Sequence, residues 1–319
     1  MPSKQPRERK DISGSSPNDR SMGQVQTFRS AWNHFWFRNV PPHSLAAFRI
    51  LFGLYLLAYF LAFAPNVELL FSNHGVYAPY LLPDLGLPVF WAWLLYLFTL
   101  LVIFGFTLGY KTLFLTPLVL LLYFYYFTLN FATNNTSFDR LNLILLVILC
   151  FARLDGAWAL GKRAVPGKGR EPGVSIWAIR LITIQMSFLY FGAGFWKLIS
   201  PYWHTGEMMH WTLIGPWGTP LAFSFVRLNP PAGLFTLLTW SVILLELTMP
   251  LMLFNKRLQV YAFAAGFLFH LSIAVLLNIP EFMNCVCAYV LFVNPAMVQR
   301  YGNALFQNLG KVFTRLAHE

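Results

Sequence analysis

The chain has 319 residues, of which 57% are hydrophobic and only 11% charged, whereas a soluble domain carries about 25% charged residues. So few charges cannot cover a water-facing surface, which excludes an ordinary soluble enzyme or binding module and leaves a protein that sets most of its surface against lipid. The net charge of +11 does not point to nucleic acid, because the basic residues sit in short segments between apolar stretches, as the positive-inside rule produces.

In chain order, residues 1–26 are polar and rich in Ser, Pro, Lys and Arg; they read as a disordered cytoplasmic tail without the apolar run of a signal peptide. Residues 27–40 interleave Phe28, Trp32, Phe35 and Trp36 with Arg29 and Arg38, the pattern of an amphipathic helix lying in the membrane interface. Residues 41–297 read as a transmembrane domain and 298–319 as a second cytoplasmic tail. A spanning helix needs roughly 20 largely apolar residues. Eight stretches qualify as candidates: 44–64, 90–109, 113–132, 140–157, 174–198, 233–254, 257–278 and 281–295. The fourth and eighth are the weakest, and the eighth also fits a tilted or re-entrant segment. The expected fold class is all-α, a polytopic helical bundle of about eight spans with both termini cytoplasmic.

Loop charge fixes the orientation. Eighteen of the 23 Lys and Arg residues fall in the N-terminal tail, the turn at Lys111, the loop from Arg153 to Arg170, the turn at Lys256 and Arg257, and the C-terminal tail. With eight spans all of these lie on one side, and the opposite loops hold only Arg140 and Arg227. That side is the cytoplasm by the positive-inside rule. Residues 65–89, 133–139, 199–232 and the link near 279 then face the other side. Cys150, Cys285 and Cys287 form no Cys-x-x-Cys pair and read as inert buried thiols.

Ionisable groups within spans are costly and mark candidate sites. Arg49 and Arg180 lie near cytoplasmic helix ends, where snorkelling accounts for them. Lys197 lies at the opposite end of its span, behind Gly192, Ala193 and Gly194, small residues that admit a neighbouring helix or a flat ligand. A lysine held partly out of water there is a candidate base. Glu246 is near mid-membrane in the sixth span and too short to snorkel, so it requires a partner or a proton. His270 is deep in the seventh. The short turn between these spans makes them antiparallel neighbours at similar depth, which predicts a direct or water-bridged Glu246–His270 contact. His204, Glu207 and His210 follow in the outer loop, but their spacing matches no zinc motif, and no metal is expected.

Four stretches carry a resemblance. Tyr190-Phe-x-Ala193-Gly194-x-x-Lys197-Leu followed by Trp203-x-x-Gly206, together with Leu45-x-x-Phe48-Arg49-Ile-x-x-Gly53, Glu246-Leu-x-Met-Pro250, and Phe269-His270-Leu with Ile279-Pro-x-Phe282, resembles the vitamin K-dependent γ-carboxylase-like, or HTTM, membrane domain over about residues 40–295. The resemblance implies Lys197, His270 and Glu246 as reactive groups, Tyr190, Gly194 and Trp203 as cofactor contacts, and a reduced, vitamin K-like quinone as cofactor. In the carboxylases the lysine matching Lys197 deprotonates reduced vitamin K on the lumenal side. Two departures argue against peptide carboxylation: the chain ends at 319 without their large lumenal region, and Asn134-Asn135-Thr136-Ser137 stands where they have Asn-Asn-His. Three readings follow. One is a quinol-using carboxylase-like or redox enzyme with Lys197 as base. Another is a non-catalytic membrane maturation or immunity factor for an exported peptide or small partner protein, since short members of the family accompany peptide toxins. The last is a transporter with Glu246 and His270 as a proton relay.

Overall fold

The computed structural model describes residues 17–75, 85–129, 136–160 and 173–316. The helices in chain order are α1 (Pro17–Phe37), α2 (His43–Ala62), α3 (Val67–Phe71), α4 (Val89–Thr107), α5 (Thr112–Leu129), α6 (Ser137–Cys150), α7 (Trp177–Ile199), α8 (Pro201–His204), α9 (Glu207–Ile214), α10 (Pro220–Arg227), α11 (Ala232–Phe254), α12 (Gln259–Leu277), α13 (Met283–Cys287) and α14 (Pro295–Leu316). The sheet among these residues is one two-residue antiparallel pair, β1 (Asn39–Val40) with β2 (Val174–Ser175). The all-α polytopic bundle is therefore the observed fold. The interfacial segment is helical from Pro17 rather than from Thr27; the rest of the expected disordered tail, residues 1–16, lies outside the described residues.

Helix α2 runs through the core. Phe48, Phe52, Leu56 and Phe60 recur every four residues and are completely buried, while Leu51, Leu54 and Leu61 on the opposite face are exposed. Helix α4 shows the same division, with Tyr96, Ile103 and Phe106 inward and Phe90, Leu94, Leu97, Leu101 and Phe104 outward. Both faces are apolar, so hydrophobicity alone cannot choose between them. Lipid solvates the outer face, and the inner one is selected by close packing and by polar groups that need partners. The hydroxyls follow that rule: Tyr96 donates to the Phe60 carbonyl at 2.9 Å and Thr107 to the Ile103 carbonyl at 2.8 Å.

The eight expected spans become six helices long and apolar enough to cross a membrane, or seven if the bent pair Pro280–Phe292 and Pro295–Asn308 is counted as one span. Expected span four is α6, whose 14 residues reach about 21 Å at ~1.5 Å per residue, against a hydrocarbon core about 30 Å thick; residues 151–158 follow it without regular helix. Expected span eight is broken into a 3-10 turn at Pro280–Phe282, α13 and a second 3-10 turn at Ala288–Phe292, followed by a 107° bend into α14. Contacts between the ends of these segments gather on two opposite faces. On the basic face β1 pairs with β2, Leu160 N–H bonds the Leu108 carbonyl, Trp158 Nε1 donates to Asn303 Oδ1, and Gln259 Nε2 donates to the Phe292 carbonyl. On the other face Thr219 N–H bonds the Leu276 carbonyl, Thr236 reaches the Thr205 carbonyl, and the Phe138 and Phe282 rings meet edge to face.

Arg49 holds the basic face together. It is completely buried, and its guanidinium donates to the backbone carbonyls of Thr107, Leu154 and Trp158. It therefore caps the end of α4 and the chain leaving α6, where the sequence predicts a snorkelling side chain. Its planar fork serves several acceptors at once, which explains how a cation can sit inside the bundle. Arg180 instead lies 3.8 Å above the Phe35 ring of α1.

Candidate functional site in the cavity between three helices

Helix α7 carries Tyr190, Ala193, Gly194 and Lys197, a spacing that puts all four on one face. That face packs against α11. A β-carbon at Gly194 would lie 2.9 Å from the Leu247 nitrogen and 3.0 Å from the Glu246 β-carbon, so only glycine admits this approach. The close crossing brings Lys197 Nζ within 2.6 Å of both carboxylate oxygens of Glu246. The pair is largely buried, with side-chain exposures of 19% for Lys197 and 6% for Glu246. The Lys197 ammonium also sits 5.2 Å from the centre of the Trp203 ring, a cation–π distance.

A second polar group lies deeper along α7. The Tyr190 hydroxyl is 2.7 Å from His270 Nε2 on α12 and 2.7 Å from the Tyr289 hydroxyl. All three residues are buried. The Glu246–His270 contact expected from the antiparallel hairpin is therefore replaced by two separate pairings: Glu246 with Lys197, and His270 with Tyr190. The hairpin geometry is right, but α7 packs beside α11 and α12 and supplies a better partner to each.

Both groups open on one cavity of about 360 Å³, bounded by α7, α9, α11 and α12 and by the broken segment after α12. Apart from Lys197, Glu246, Tyr190, His270 and a few hydroxyls, its wall is apolar, with Leu189, Val242, Ile273, Leu276 and Phe282 among the lining residues. Trp203 and Thr212 contribute from the outer cap. Of the residues expected to contact a cofactor, Tyr190 and Trp203 line this cavity, while Gly194 is spent on helix packing and Gly192 faces open space. His204 and His210 do not converge with Glu207: His204 Nε2 bonds the Leu198 carbonyl at 2.7 Å, and the His210 ring meets the Phe235 ring at right angles. Among the described residues, no group of three His, Cys, Asp or Glu is placed to hold a metal.

One cluster has no counterpart in the sequence reading. Asp139, at the start of α6, accepts hydrogen bonds from the hydroxyls of Tyr59 at 2.9 Å, Tyr123 at 2.7 Å and Thr136 at 2.6 Å. Asn142, one turn on, donates to Tyr123 and Tyr55 and accepts from Asn284. Asp139 and Asn142 share a helix face, as do Tyr55 and Tyr59, a polar periodicity that could have revealed the cluster. A second cavity of about 330 Å³, lined by Tyr59, Thr136, Trp217 and Glu281, adjoins it and shares Ile279 and Phe282 with the first.

This architecture is that of a multi-pass helical membrane protein with an ion pair and a Tyr–His pair on the wall of one largely apolar cavity. The HTTM domain model matches residues 37–296, and the chain belongs to that family. No curated protein and no solved structure gives a match.

Proposed function

We propose that this protein binds a reduced quinone in the cavity between α7, α11 and α12 and takes a proton from it at the Lys197–Glu246 pair. The observation that carries this reading is the placement of one closed ion pair on the wall of an otherwise apolar cavity. A cavity of about 360 Å³ falls within the range of roughly 300–1,000 Å³ typical of small-molecule sites. Its apolar wall suits a ring and tail drawn from the bilayer.

The salt bridge divides the task between two residues. Lys197 holds its proton against Glu246, so the lone base expected of Lys197 is better supplied by the pair. The quinol O–H bond breaks, its proton passes to the Glu246 carboxylate, and the electron pair stays on the quinol oxygen beside the Lys197 ammonium. The site is neutral before and after the transfer, which avoids the cost of a net charge in a low-dielectric cavity. This step is common to a quinol-dependent oxidoreductase and to a carboxylase-like lyase. A transporter relay through Glu246 and His270 is less well supported, because those groups have separate partners.

The test is to purify the protein in detergent, identify retained quinones by mass spectrometry, and titrate it with menadiol. Quinone is expected to copurify, and Lys197→Ala is expected to lose menadiol binding while still inserting in the membrane. If wild type retains no quinone and binds no menadiol, the reading fails.

A further inference from the structure

The second cavity, of about 330 Å³, lies at the face opposite the basic one, and the quinol reading makes no use of it. Tyr59, Phe63, Phe138, Trp217 and Phe282 on its wall are aromatic. Tyr59 meets Phe63 edge to face at 5.0 Å, and Phe138 meets Phe282 in the same way at 5.5 Å. Glu281 is the charged residue among them.

Apart from the Trp217 indole N–H, the polar side chains of this wall are acceptors. Tyr59 and Thr136 each have a single hydroxyl proton, and both protons go to Asp139. What either hydroxyl can offer the cavity is therefore an oxygen lone pair. Glu281 is half-buried and forms no ion pair among the described residues. The side-chain oxygens of Ser44 and Thr239 are sealed in protein without a partner; those of Glu281 are not sealed, and the residue lines the cavity. The charge that acts on Glu281 is Asp139, of the same sign. Residues 76–84 and 130–135, the stretches between α3 and α4 and between α5 and α6 that lie outside the described residues, contain no Lys, Arg or His. An accessible carboxylate without a cation of its own, set among ring faces and acceptor oxygens, attracts a positive ligand, since the face of an aromatic ring is itself negative.

We propose that this second cavity binds an organic ammonium ion, with Glu281 as its counter-ion and the surrounding aromatic rings as its cage. A metal cation is a poorer occupant, because no group of three His, Cys, Asp or Glu among the described residues is placed to hold one. A free amine and the headgroup of phosphatidylethanolamine or phosphatidylcholine share the chemistry the site recognises. The site stands apart from the quinol reading: Ile279 and Phe282 are common to both cavities, whereas Glu281 and Trp217 line the second alone.

Choline is the probe, titrated by calorimetry into the full-length protein in nanodiscs of phosphatidylglycerol, a lipid without an ammonium group. Wild type is expected to bind choline, and to bind dimethylbutanol, its uncharged isostere, at least about tenfold more weakly. Glu281→Gln keeps the size of the side chain and removes its charge, and is expected to weaken choline binding by about tenfold or more. Trp217→Leu is expected to weaken it by about threefold. Thermal stability and menadiol titration of both variants are expected to match wild type. Mass spectrometry of the lipids retained from native membranes separates the two sources. Phosphatidylethanolamine or phosphatidylcholine enriched on wild type but not on Glu281→Gln assigns the ammonium to a lipid headgroup; choline binding without that enrichment assigns it to a free amine. Either result upholds the site. It is overturned if choline does not bind and neither lipid is enriched, if dimethylbutanol binds as tightly as choline, or if Glu281→Gln binds choline as wild type does.

Discussion

Lys197 and Glu246 illustrate how strongly the bilayer interior couples neighbouring charges. Each alone would be an unpaired ion in a low-dielectric region, whereas together they are a neutral, hydrogen-bonded unit at 2.6 Å. Removing one member of such a buried pair typically costs about 3–5 kcal/mol, while replacing both with apolar residues of similar size is close to neutral. Glu246→Ala is therefore expected to lower thermal stability in detergent sharply, and Glu246→Leu combined with Lys197→Met is expected to recover most of the loss. A double variant no more stable than Glu246→Ala would show that the loss does not come from leaving Lys197 unpaired, and would refute this account. The same residues show what the sequence conveys. Lys197, Glu246 and His270 stand out because ionisable groups are rare in apolar stretches, and all three line one cavity. Their pairing was not legible, since hairpin connectivity makes α11 and α12 neighbours but says nothing of α7 lying beside both. Asp139 is not legible in the sequence for a related reason. It sits at the end of a short, weakly apolar stretch and resembles a loop residue, and its tyrosine partners come from two other helices. Thr136, which stands where a histidine is expected from the family resemblance, is hydrogen-bonded to this Asp139.

At the scale of elements, the crossing of α7 and α11 sets the site. It is a close-packed contact bearing on the cavity, and it depends on Gly194 having no side chain. Helices held together in lipid rely on such close approach, because no hydrophobic force drives one apolar helix onto another. Gly194→Leu is expected to push α11 away, break the Lys197–Glu246 contact, and abolish menadiol binding along with a marked loss of thermal stability. Gly192→Leu is the control: nothing lies within 4 Å of a β-carbon there, so stability and binding are expected to stay near wild type. Equal behaviour of the two variants would refute the packing argument. The Gly192-Ala193-Gly194 run was readable as a close-approach motif, but which glycine meets the partner depends on the rotation of α7, fixed by burial of Tyr190 and Met186 on the same side.

At the scale of the whole molecule, the question is whether α6 and the broken segment after α12 cross along with the six helices of spanning length. Apolar length alone does not decide it. Helix α6 is short, and the segment after α12 is broken, because both line polar clusters rather than lipid: Asp139 and Asn142 on α6 bond to tyrosines, and Asn284 on α13 bonds to Asn142. Irregular backbone at membrane depth is tolerated where protein covers it, so these two passes need neither full length nor full hydrophobicity. The loop charges carry the missing information. Only if α6 carries the chain across do Lys111, Arg153, Lys256 and Arg257 share a face, the face on which Arg49 and the β1–β2 pair join the ends of α2, α4, α6 and α7. This makes a sharp prediction for single cysteines placed in a background with Cys150, Cys285 and Cys287 replaced by alanine. In sealed vesicles of known orientation, Arg153→Cys and Lys256→Cys are expected to react with an impermeant maleimide from one side, and Thr205→Cys and Arg227→Cys from the other. Labelling of Arg153→Cys from the same side as Thr205→Cys would mean that α6 does not carry the chain across, and the orientation of Lys197 and the cavity would have to be reassigned with it.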